Sequence, residues 1–542
     1  MTASPRPVRA AASPRLLAAL LSLVVVAVLA LSSCGGAGTA AGQATGPGEP
    51  RPGGTLDYRA AAGGRSLDPA ATTGYGLAIP LRALVDSLVF HSIDGEFRPW
   101  LAESWEINED ATRYVFHLRD GVTFSNGEPL DANAVVASFE SIRRAGAKYA
   151  VANTWIGPLS SITAPDPKTV VFEFASPNSS FLQAVSTAVL GIVAPQTSAL
   201  SFEERQQGLS IIGSGPFVAT ENRNEEGYRL ERRPDYRWPP AGSPNPGPAY
   251  LDAIEVHHIS DNSIAANQLQ AGELDVLHNT EPADKTLFAT HPEITIRREP
   301  LPGSALGFTV NIKHPLLQDV RVRQALQLAI DREAVLQRAS AIDIPATSVF
   351  SASNPFWVDR SEKIRTDRER AAALLDEAGW VRGPDGIRVK DGQRLSLDLI
   401  YTASTISHEP NIAVVQAQWK ELGVELTFGS LTTPEHNQRI QNGDYALSWG
   451  SGTRPDIDVL RGTYAGYDPV LDGLFTEILR TPDVHARKEL ATQVADRILD
   501  QAYFIPLYDF IQPIAYRNTV GLRTFEATHI PWLGDAWINE ES

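Results

Sequence analysis

The thiol of Cys34 is the side chain of this sequence best suited to covalent modification, because it is the only cysteine in 542 residues. An uncharged, largely apolar run at 16–31 and two small residues, Ser32 and Ser33, come directly before it. The run is preceded by three arginines, Arg6, Arg9 and Arg15. This layout is typical of a bacterial export signal, and the run is shorter than the ~20 residues that a membrane-spanning helix needs. We therefore expect cleavage before Cys34.

The four residues Leu31–Cys34 resemble the lipobox of bacterial lipoproteins, in which the cysteine thiol takes a diacylglycerol group. Two or three acyl chains hold a protein firmly to a bilayer. We expect residues 1–33 to be a signal peptide and Cys34 to be lipidated. The following residues are rich in Gly, Ala, Thr and Pro, which predicts a flexible tether over 34–52. The alternative is an uncleaved membrane anchor with an incidental cysteine.

Catalytic chemistry is not indicated by the rest of the sequence. The chain has neither a Gly-x-Ser-x-Gly elbow nor a His-Glu-x-x-His metal motif. His257 and His258 are adjacent on a predicted strand, so their side chains face opposite sides and do not readily share a metal ion. We expect a protein that is not an enzyme and that needs no cofactor or metal. A secreted hydrolase stays a rival interpretation, which turnover of any ligand would revive.

The charge of the chain argues against a nucleic-acid partner. The formal net charge is −17, and no Lys/Arg-rich block follows the export signal. Binding of a phosphate backbone needs concentrated positive charge, so we expect no nucleic-acid binding. The length allows two to four domains at roughly 100 to 200 residues each.

Alternating strand and helix signals predict mixed α/β structure throughout the chain. A strand is predicted at 113–118, and Asp131 is placed to cap the helix that follows. Strand–helix–strand units are predicted at 253–277 and 395–428, and such short units favour parallel pairing. Between them, Asp319 is placed to cap another helix. Both halves of the chain are therefore expected to contain open α/β sheets.

Short motifs follow one another through nearly all of the chain beyond the tether. Those in the first half are Leu101–Glu106, His117–Val122, Phe124–Pro129, Gly213–Phe217, Tyr250–Ile254 and Gly272–Val276. Those in the second half are Asp319–Leu326, Ala329–Arg332, Ala373–Trp380, Gly443–Tyr445, Ile505–Leu507 and Val520–Leu522. The series resembles family 5 of the extracellular solute-binding proteins, which includes oligopeptide, dipeptide and nickel binders.

The resemblance implies an α/β fold of the periplasmic-binding-protein type II class, a two-lobed clamp in its large three-domain variant. The ligand cleft is expected between the lobes, where it can desolvate a ligand on all sides. The expected ranges are 53–303 for the first lobe, with 84–209 as its extra subdomain, 304–507 for the second lobe, and 508–542 for the return to the first lobe. Hinge crossings are expected near Gly303–Phe308 and Leu507–Gln512.

The resemblance also implies a role and partners. The protein is expected to capture a peptide or similar small solute outside the cell and deliver it to the permease and ATPase subunits of an ABC importer. We expect a monomer, held at the outer face of the cell membrane by its lipid anchor. A cell-surface ligand sensor on the same fold is an alternative that the sequence does not separate from an import component.

The segment 446–456 is expected to line the cleft, by its resemblance to peptide-binding relatives. In those relatives an aspartate three residues after the tryptophan anchors the amino group of the peptide, whereas Gly452 stands at that place here. Arg454 lies two residues on, and its rigid set of donors suits a carboxylate or other anion. We therefore expect the site to tolerate or prefer ligands without a free amino terminus, with Thr453 and Arg454 in the binding site.

Two questions about this segment stay open at the level of sequence. Asp456 or Asp458 can take the place of the missing aspartate from a shifted loop, or both can merely cap or shape a turn. Trp449, an aromatic residue flanked by glycine, can form a stacking wall for the ligand or pack in the core.

Residues around the first predicted strand are the remaining candidates. The strand at Leu56–Tyr58 has an edge that can pair with a peptide backbone by strand addition. Alternatively these residues complete a sheet, which is the favoured interpretation for Tyr58. Tyr75, in the turn-rich segment that follows, is a further candidate ligand-binding residue.

Overall fold

Three β-sheets carry most of the strands of this chain. The computed structural model describes residues 47–60, 66–71, 75–278, 287–288, 290–298, 300–338, 343–403 and 408–539. Within these residues the sheets have seven, six and four strands, and short two- and three-stranded ribbons complete the β-structure. No helix in the described part of the chain is both long and apolar enough to cross a membrane.

The seven-stranded sheet combines strands from both ends of the chain. Its spatial order is Ile294–Arg297, Ile514–Arg517, Val276–His278, Thr55–Ala60, Ala253–His258, Gly227–Arg232 and Phe217–Asn222. Thr55–Ala60 runs parallel to both of its neighbours, and the other pairs are antiparallel. The C-terminal part of the chain therefore returns to the sheet that the N-terminal part begins.

The hypothesis of strand addition at Leu56–Tyr58 is wrong. Thr55–Ala60 pairs on one side with Ala253–His258 and on the other with Val276–His278. Both backbone edges of this strand are occupied, so no edge is left for a peptide. Tyr58 is fully buried in the core of the sheet. The residues complete a sheet, as the alternative interpretation held.

The six-stranded sheet is built from the second half of the chain. Its spatial order is Ile344–Pro345, Phe504–Asp509, Leu306–Val310, Leu447–Gly450, Ser396–Thr402 and Glu425–Leu431. Ser396–Thr402 is parallel to both neighbours, as the strand–helix–strand signal predicts. The helix Glu409–Leu422 packs on this sheet through Ile412, Val415 and Trp419, which are fully buried.

The four-stranded sheet is antiparallel and lies within the first half of the chain. Its spatial order is Ala102–Ile107, Arg113–Leu118, Thr169–Phe174 and Leu159–Asp166. The helix Ala132–Ala145 covers it, and the carboxylate of Asp131 accepts a hydrogen bond of 2.9 Å from the backbone N–H of Ala134. The predicted cap is confirmed. The short helix Phe181–Ala184 inserts Phe181 into the aromatic core of this unit.

The helices lie in both halves of the chain, and several begin or end at residues that the sequence marks. In the first half they are Tyr75–Arg82, Ala132–Ala145, Ala150–Ile156, Phe181–Ala184, Pro195–Ala199, Phe202–Arg205 and Asn262–Ala271. In the second half they are Val320–Leu328, Arg332–Leu336, Arg368–Glu377, Glu409–Leu422, Thr433–Asn442, Asp458–Tyr464, Pro469–Arg480 and Val484–Asp500. Asp319 caps Val320–Leu328 as predicted. Gly272 ends Asn262–Ala271 with a φ of 78°, a conformation that favours glycine.

The chain passes twice between the seven-stranded and the six-stranded sheet. The first passage lies between Ile294–Arg297 and Leu306–Val310, and the second between Phe504–Asp509 and Ile514–Arg517. In the first passage, a Cβ atom on Gly303 would lie 1.9 Å from the carbonyl oxygen of Gly452, so only glycine fits there. Both passages overlap the expected hinge crossings. Movement about them, and the exact lobe boundaries, stay predictions.

Candidate functional site

A cavity of about 270 Å³ lies where segments attached to all three sheets meet. One wall comes from the helices Ala150–Ile156 and Phe181–Ala184, next to the four-stranded sheet. Another comes from Thr453, Arg454 and Pro455, which follow the strand Leu447–Gly450 of the six-stranded sheet. The two passages between sheets and the C-terminal part of the chain complete it. No single sheet region forms this cavity alone.

The walls of the cavity are mostly apolar, with a few polar groups among them. The apolar lining residues are Ala78, Val151, Trp155, Ala188, Val189, Leu301, Pro455 and Ile530. The polar ones are Gln183, Thr187, Thr453, Arg454, Gln512, Glu526 and Thr528. Ligand pockets in proteins share this composition, and the volume of about 270 Å³ lies near the small end of their usual range of roughly 300–1,000 Å³. The cavity is therefore suited to a small organic solute.

Arg454 is the cationic residue of the cavity wall. Its side chain is almost completely buried, and its Nε donates a hydrogen bond of 2.6 Å to Oε1 of Gln183. Its Nη1 donates to Asp458 at 2.9 Å, and the guanidinium carbon lies 5.3 Å from the ring centre of Trp155. The guanidinium group is thus fixed in place by contacts on both sides of the cavity.

Asp458 accepts the hydrogen bond from Arg454 but does not itself line the cavity. It also accepts a hydrogen bond of 2.5 Å from Nε of Arg461. Burial acts to raise the pKa of Asp458, but the hydrogen bond from Arg461 and the charge of Arg454 outweigh it and hold the pKa below its ordinary value. The carboxylate is therefore ionised and committed to two guanidinium groups.

Asp456 is buried and does not line the cavity. One of its carboxylate oxygens accepts a hydrogen bond of 2.8 Å from the hydroxyl of Ser180, and Nη2 of Arg487 lies 3.0 Å from both oxygens. The backbone N–H of Asp458 donates a further bond of 2.9 Å to the same carboxylate. Neither aspartate is thus presented to the cavity as a partner for an ammonium group, and a ligand-binding role for Asp456 stays a prediction.

Gly452 lies behind the cavity wall. Its N–H donates to Oγ of Ser304 at 2.8 Å, and its carbonyl oxygen accepts from the N–H of Ser304 at 2.9 Å. A Cβ atom at this position would lie 2.3 Å from Cγ2 of Val459. The space that a side chain at 452 needs is therefore filled by Val459. The next residue, Thr453, lines the cavity and bridges to Gly303.

Trp449 belongs to the strand Leu447–Gly450 of the six-stranded sheet, packs in the hydrophobic core there and does not line the cavity. It is 5% exposed, and its ring centre lies 5.3 Å from that of Phe308 and 5.7 Å from that of His408. The structure therefore favours its packing interpretation, and a role in ligand binding stays a prediction. Tyr75 begins the helix Tyr75–Arg82, but its side chain lies outside the described residues.

Several cavity residues were missed by reasoning from the sequence. Trp155, Gln183, Gln512 and Glu526 all line the cavity. Glu526 is buried, with Oε1 lying 3.5 Å from Nη2 of Arg82, and burial raises its pKa. The one available signal was the presence of polar residues in the otherwise apolar segment 181–190. Buried polar residues need a partner, which here can be a ligand.

A family model and curated relatives match this chain over most of its length. The model described as bacterial extracellular solute-binding proteins, family 5 Middle, matches residues 96–469. The nickel-binding periplasmic protein of Escherichia coli (strain K12) is 25% identical over 477 residues, which cover 82% of this chain and 88% of the relative. The dipeptide-binding protein of the same strain is 25% identical over 390 residues, covering 67% and 69%.

Solved structures share the fold. The NikA protein from Brucella suis in complex with Fe(III)-EDTA superposes with a TM-score of 0.75 at 24% identity, covering 89% of this chain and 99% of that chain. The AgaA protein in complex with agropinic acid superposes with a TM-score of 0.71 at 22% identity, covering 90% and 99%. The expected α/β two-lobed clamp is confirmed. The chain therefore belongs to the bacterial extracellular solute-binding proteins of family 5, the substrate-binding proteins of ABC importers.

Proposed function

We propose that this protein is held at the outer face of the cell membrane by a lipid on Cys34 and closes its two lobes on a small organic solute. The cavity between the three sheet regions is the observation that carries the proposal. The solute is then delivered to the permease of an ABC importer, which recognises the closed form. The protein acts as a monomer. Cys34 itself lies outside the described residues, and its lipidation rests on the sequence Leu31–Cys34.

The size of the cavity favours a small solute. Its volume of about 270 Å³ is close to the small end of the range of ligand pockets, roughly 300–1,000 Å³, which suits a dipeptide or a metabolite of similar size. The nickel-binding and dipeptide-binding relatives take different solutes. The chemistry of the ligand must therefore be read from the walls of this cavity.

Contacts between the two sides of the cavity support a closing motion. The hydroxyl of Ser179 donates to the carbonyl oxygen of Ile478 at 2.6 Å, and its N–H donates to that of Leu479 at 3.0 Å. Gln183 and Arg454 meet at 2.6 Å across the cavity. All of these hydrogen bonds join the region of the four-stranded sheet to that of the six-stranded sheet, so they can break when the lobes separate. A solute that contacts both sides favours the closed arrangement by its differential affinity.

The test is small-angle scattering on the full chain, combined with mass spectrometry of the solute that co-purifies under gentle conditions. Adding that solute back to stripped protein should reduce the radius of gyration. The variant Ala78→Trp places a large side chain at a residue that lines the cavity and is only partly buried, so the indole ring should occupy the space of the solute. It should neither bind the solute nor compact, while Ala150→Trp, at an exposed position outside the cavity lining, should behave as wild type. An unchanged scattering profile at saturating solute would contradict closure.

A further inference from the structure

Two buried hydrogen-bond donors beside each other on the cavity wall have no protein partner. Nη2 of Arg454 and Nε2 of Gln183 make no hydrogen bond with any of the described residues. Both side chains line the cavity, and their exposed fractions are only 6% and 1%. Because Nε of Arg454 donates to Oε1 of Gln183, the two groups are held side by side. Burying a donor without an acceptor costs free energy, and an oxygen atom of a ligand that accepts from these two donors would remove that cost.

The charges around Arg454 do not balance. Three guanidinium groups, those of Arg454, Arg461 and Arg487, contact two carboxylates, those of Asp456 and Asp458. Arg487 pairs with Asp456, whereas Arg454 and Arg461 share Asp458. The side chain of Arg461 is 36% exposed and is open to water, whereas that of Arg454 is only 7% exposed. Arg454 is therefore a buried cation that shares its carboxylate, and a negative group from a ligand would compensate its charge further.

The other acid of the cavity does not supply that charge. Glu526 lies 3.5 Å from Arg82, so its charge is already matched within the wall. Burial raises the pKa of Glu526, while the charge of Arg82 acts to lower it. Among the described residues that line the cavity, Glu526 is the only acid and is paired with Arg82, whereas Nη2 of Arg454 has no partner there.

We propose that Arg454 and Gln183 form a carboxylate-binding subsite, and that the solute of this protein carries a carboxylate but needs no free amino group. The inference rests on the proposed function, because it concerns the same cavity. The guanidinium and amide N–H groups suit the two oxygens of a carboxylate. A single buried cation that already shares a carboxylate matches a carboxylate monoanion better than a phosphate dianion. Because Gln183 belongs to the region of the four-stranded sheet and Arg454 to that of the six-stranded sheet, a carboxylate that accepts from both side chains also favours the closed form.

Pairs of probes that differ only in a carboxylate or an amide measure what the carboxylate contributes to binding. The first pair is N-acetyl-alanyl-alanine and its C-terminal amide, and the second is alanyl-alanine and its C-terminal amide. Calorimetry on the full chain should show each acid binding at least ten-fold more tightly than its amide, the size expected for a charged hydrogen bond. Acetylation of the amino group should not weaken binding of the acid. Inorganic phosphate, a third probe, should bind more weakly than either acid.

Three variants test the assignment to these two residues. Arg454→Gln should abolish the preference for acid over amide, and it should still fold because Asp458 keeps its bond to Arg461. Gln183→Glu should abolish the preference as well, because its carboxylate can pair with Arg454 and repel the ligand. Arg461→Gln is the matched control. It removes a partly exposed guanidinium group from the same carboxylate, but that group is open to water and does not line the cavity, so the variant should keep the preference.

Each other outcome overturns the subsite. Equal binding of acid and amide to the wild type, tighter binding of phosphate, or no binding of either acid at millimolar concentration would each contradict it. A preference that survives both Arg454→Gln and Gln183→Glu would assign the carboxylate to another part of the cavity. The chemical class of the co-purified solute distinguishes the two proposals. A solute without a carboxylate that still compacts the protein removes the subsite and leaves the closing mechanism intact.

Discussion

Asp456 and Arg487 form a buried ion pair of 3.0 Å, and Ser180 joins it from the other side of the interface. The hydroxyl of Ser180 donates to the aspartate at 2.8 Å and lies 3.0 Å from Nη2 of the arginine. Ser180 belongs to the region of the four-stranded sheet, whereas the ion pair belongs to the region of the six-stranded sheet. The pair therefore forms a latch between the two regions that enclose the cavity.

The variant Ser180→Ala should weaken closure without unfolding the protein. It removes the hydroxyl that donates to Asp456, but the carboxylate keeps its contacts with Arg487 and with the backbone N–H of Asp458. A hydrogen bond to a charged group contributes about 1.5–3 kcal/mol, so affinity for the co-purified solute should fall by ten-fold or more. Calorimetry measures this loss. Ser160→Ala, at an exposed position, should leave affinity unchanged, and equal affinity of both variants would refute the latch.

A side chain at position 452 should be tolerated only when Val459 is made smaller. The Cβ atom of Gly452→Ala would lie 2.3 Å from Cγ2 of Val459 but 3.8 Å from its Cβ. Overpacking of this kind costs about 1–3 kcal/mol in the free energy of unfolding. In the Val459→Ala background the clash is absent, so Gly452→Ala should cost much less there. Denaturant unfolding of the wild type, the two single variants and the double variant gives the coupling energy between positions 452 and 459. Equal costs in both backgrounds would show that Val459 is not the obstacle.

Asp509 should make the protein less stable as the pH rises towards neutrality. Burial raises the pKa of this carboxyl from 3.8 to about 7, and its Oδ2 accepts a hydrogen bond of 2.7 Å from the N–H of Ala352. The folded state therefore holds this proton more tightly than the unfolded state. Its contribution to stability is complete below about pH 4 and is lost as the pH rises through about 7. Asp509→Asn should remove this contribution.

Thermal unfolding of wild type and Asp509→Asn between pH 4 and pH 8 measures the effect. The melting temperature of the variant should rise relative to that of the wild type over this range. Asp385→Asn serves as the control, because a hydrogen bond from Arg394 lowers the pKa of Asp385 below 3.8, so its difference from wild type should stay nearly constant over this range. A constant difference between Asp509→Asn and wild type would mean that Asp509 titrates alike in both states.

Removal of the Cys34 thiol should release the protein from the membrane. The sequence Leu31–Cys34 motivates this expectation, and Cys34 is the only cysteine of the chain. In cells fed a labelled fatty acid, the wild type should incorporate label and the variant Cys34→Ala should not. The neighbouring variant Ser33→Ala should keep both label and membrane association. Equal labelling of wild type and Cys34→Ala, or equal retention in the membrane fraction, would argue against the anchor.

Local features of the fold could be predicted because they depend on neighbouring residues. Asp131 and Asp319 cap helices whose N–H groups lie two or three residues away, and Gly272 ends a helix with a positive φ. The parallel pairing of Ser396–Thr402 likewise follows from a short strand–helix–strand unit. The position of Thr55–Ala60 inside its sheet did not follow, because its partners lie about 200 residues further along the chain.

The sequence by itself determined the fold class, the family and two residues that line the cavity, Thr453 and Arg454. The family could be recognised because its motifs are turns and helix ends, which depend on residues that are close together in sequence. Only the tertiary structure decided what surrounds Arg454, because Gln183 lies 271 residues away from it in sequence. It also decided that Asp456 and Asp458 are committed to guanidinium groups, and that Val459 fills the space beside Gly452. Burial and charge balance depend on contacts between distant segments, which no local pattern encodes.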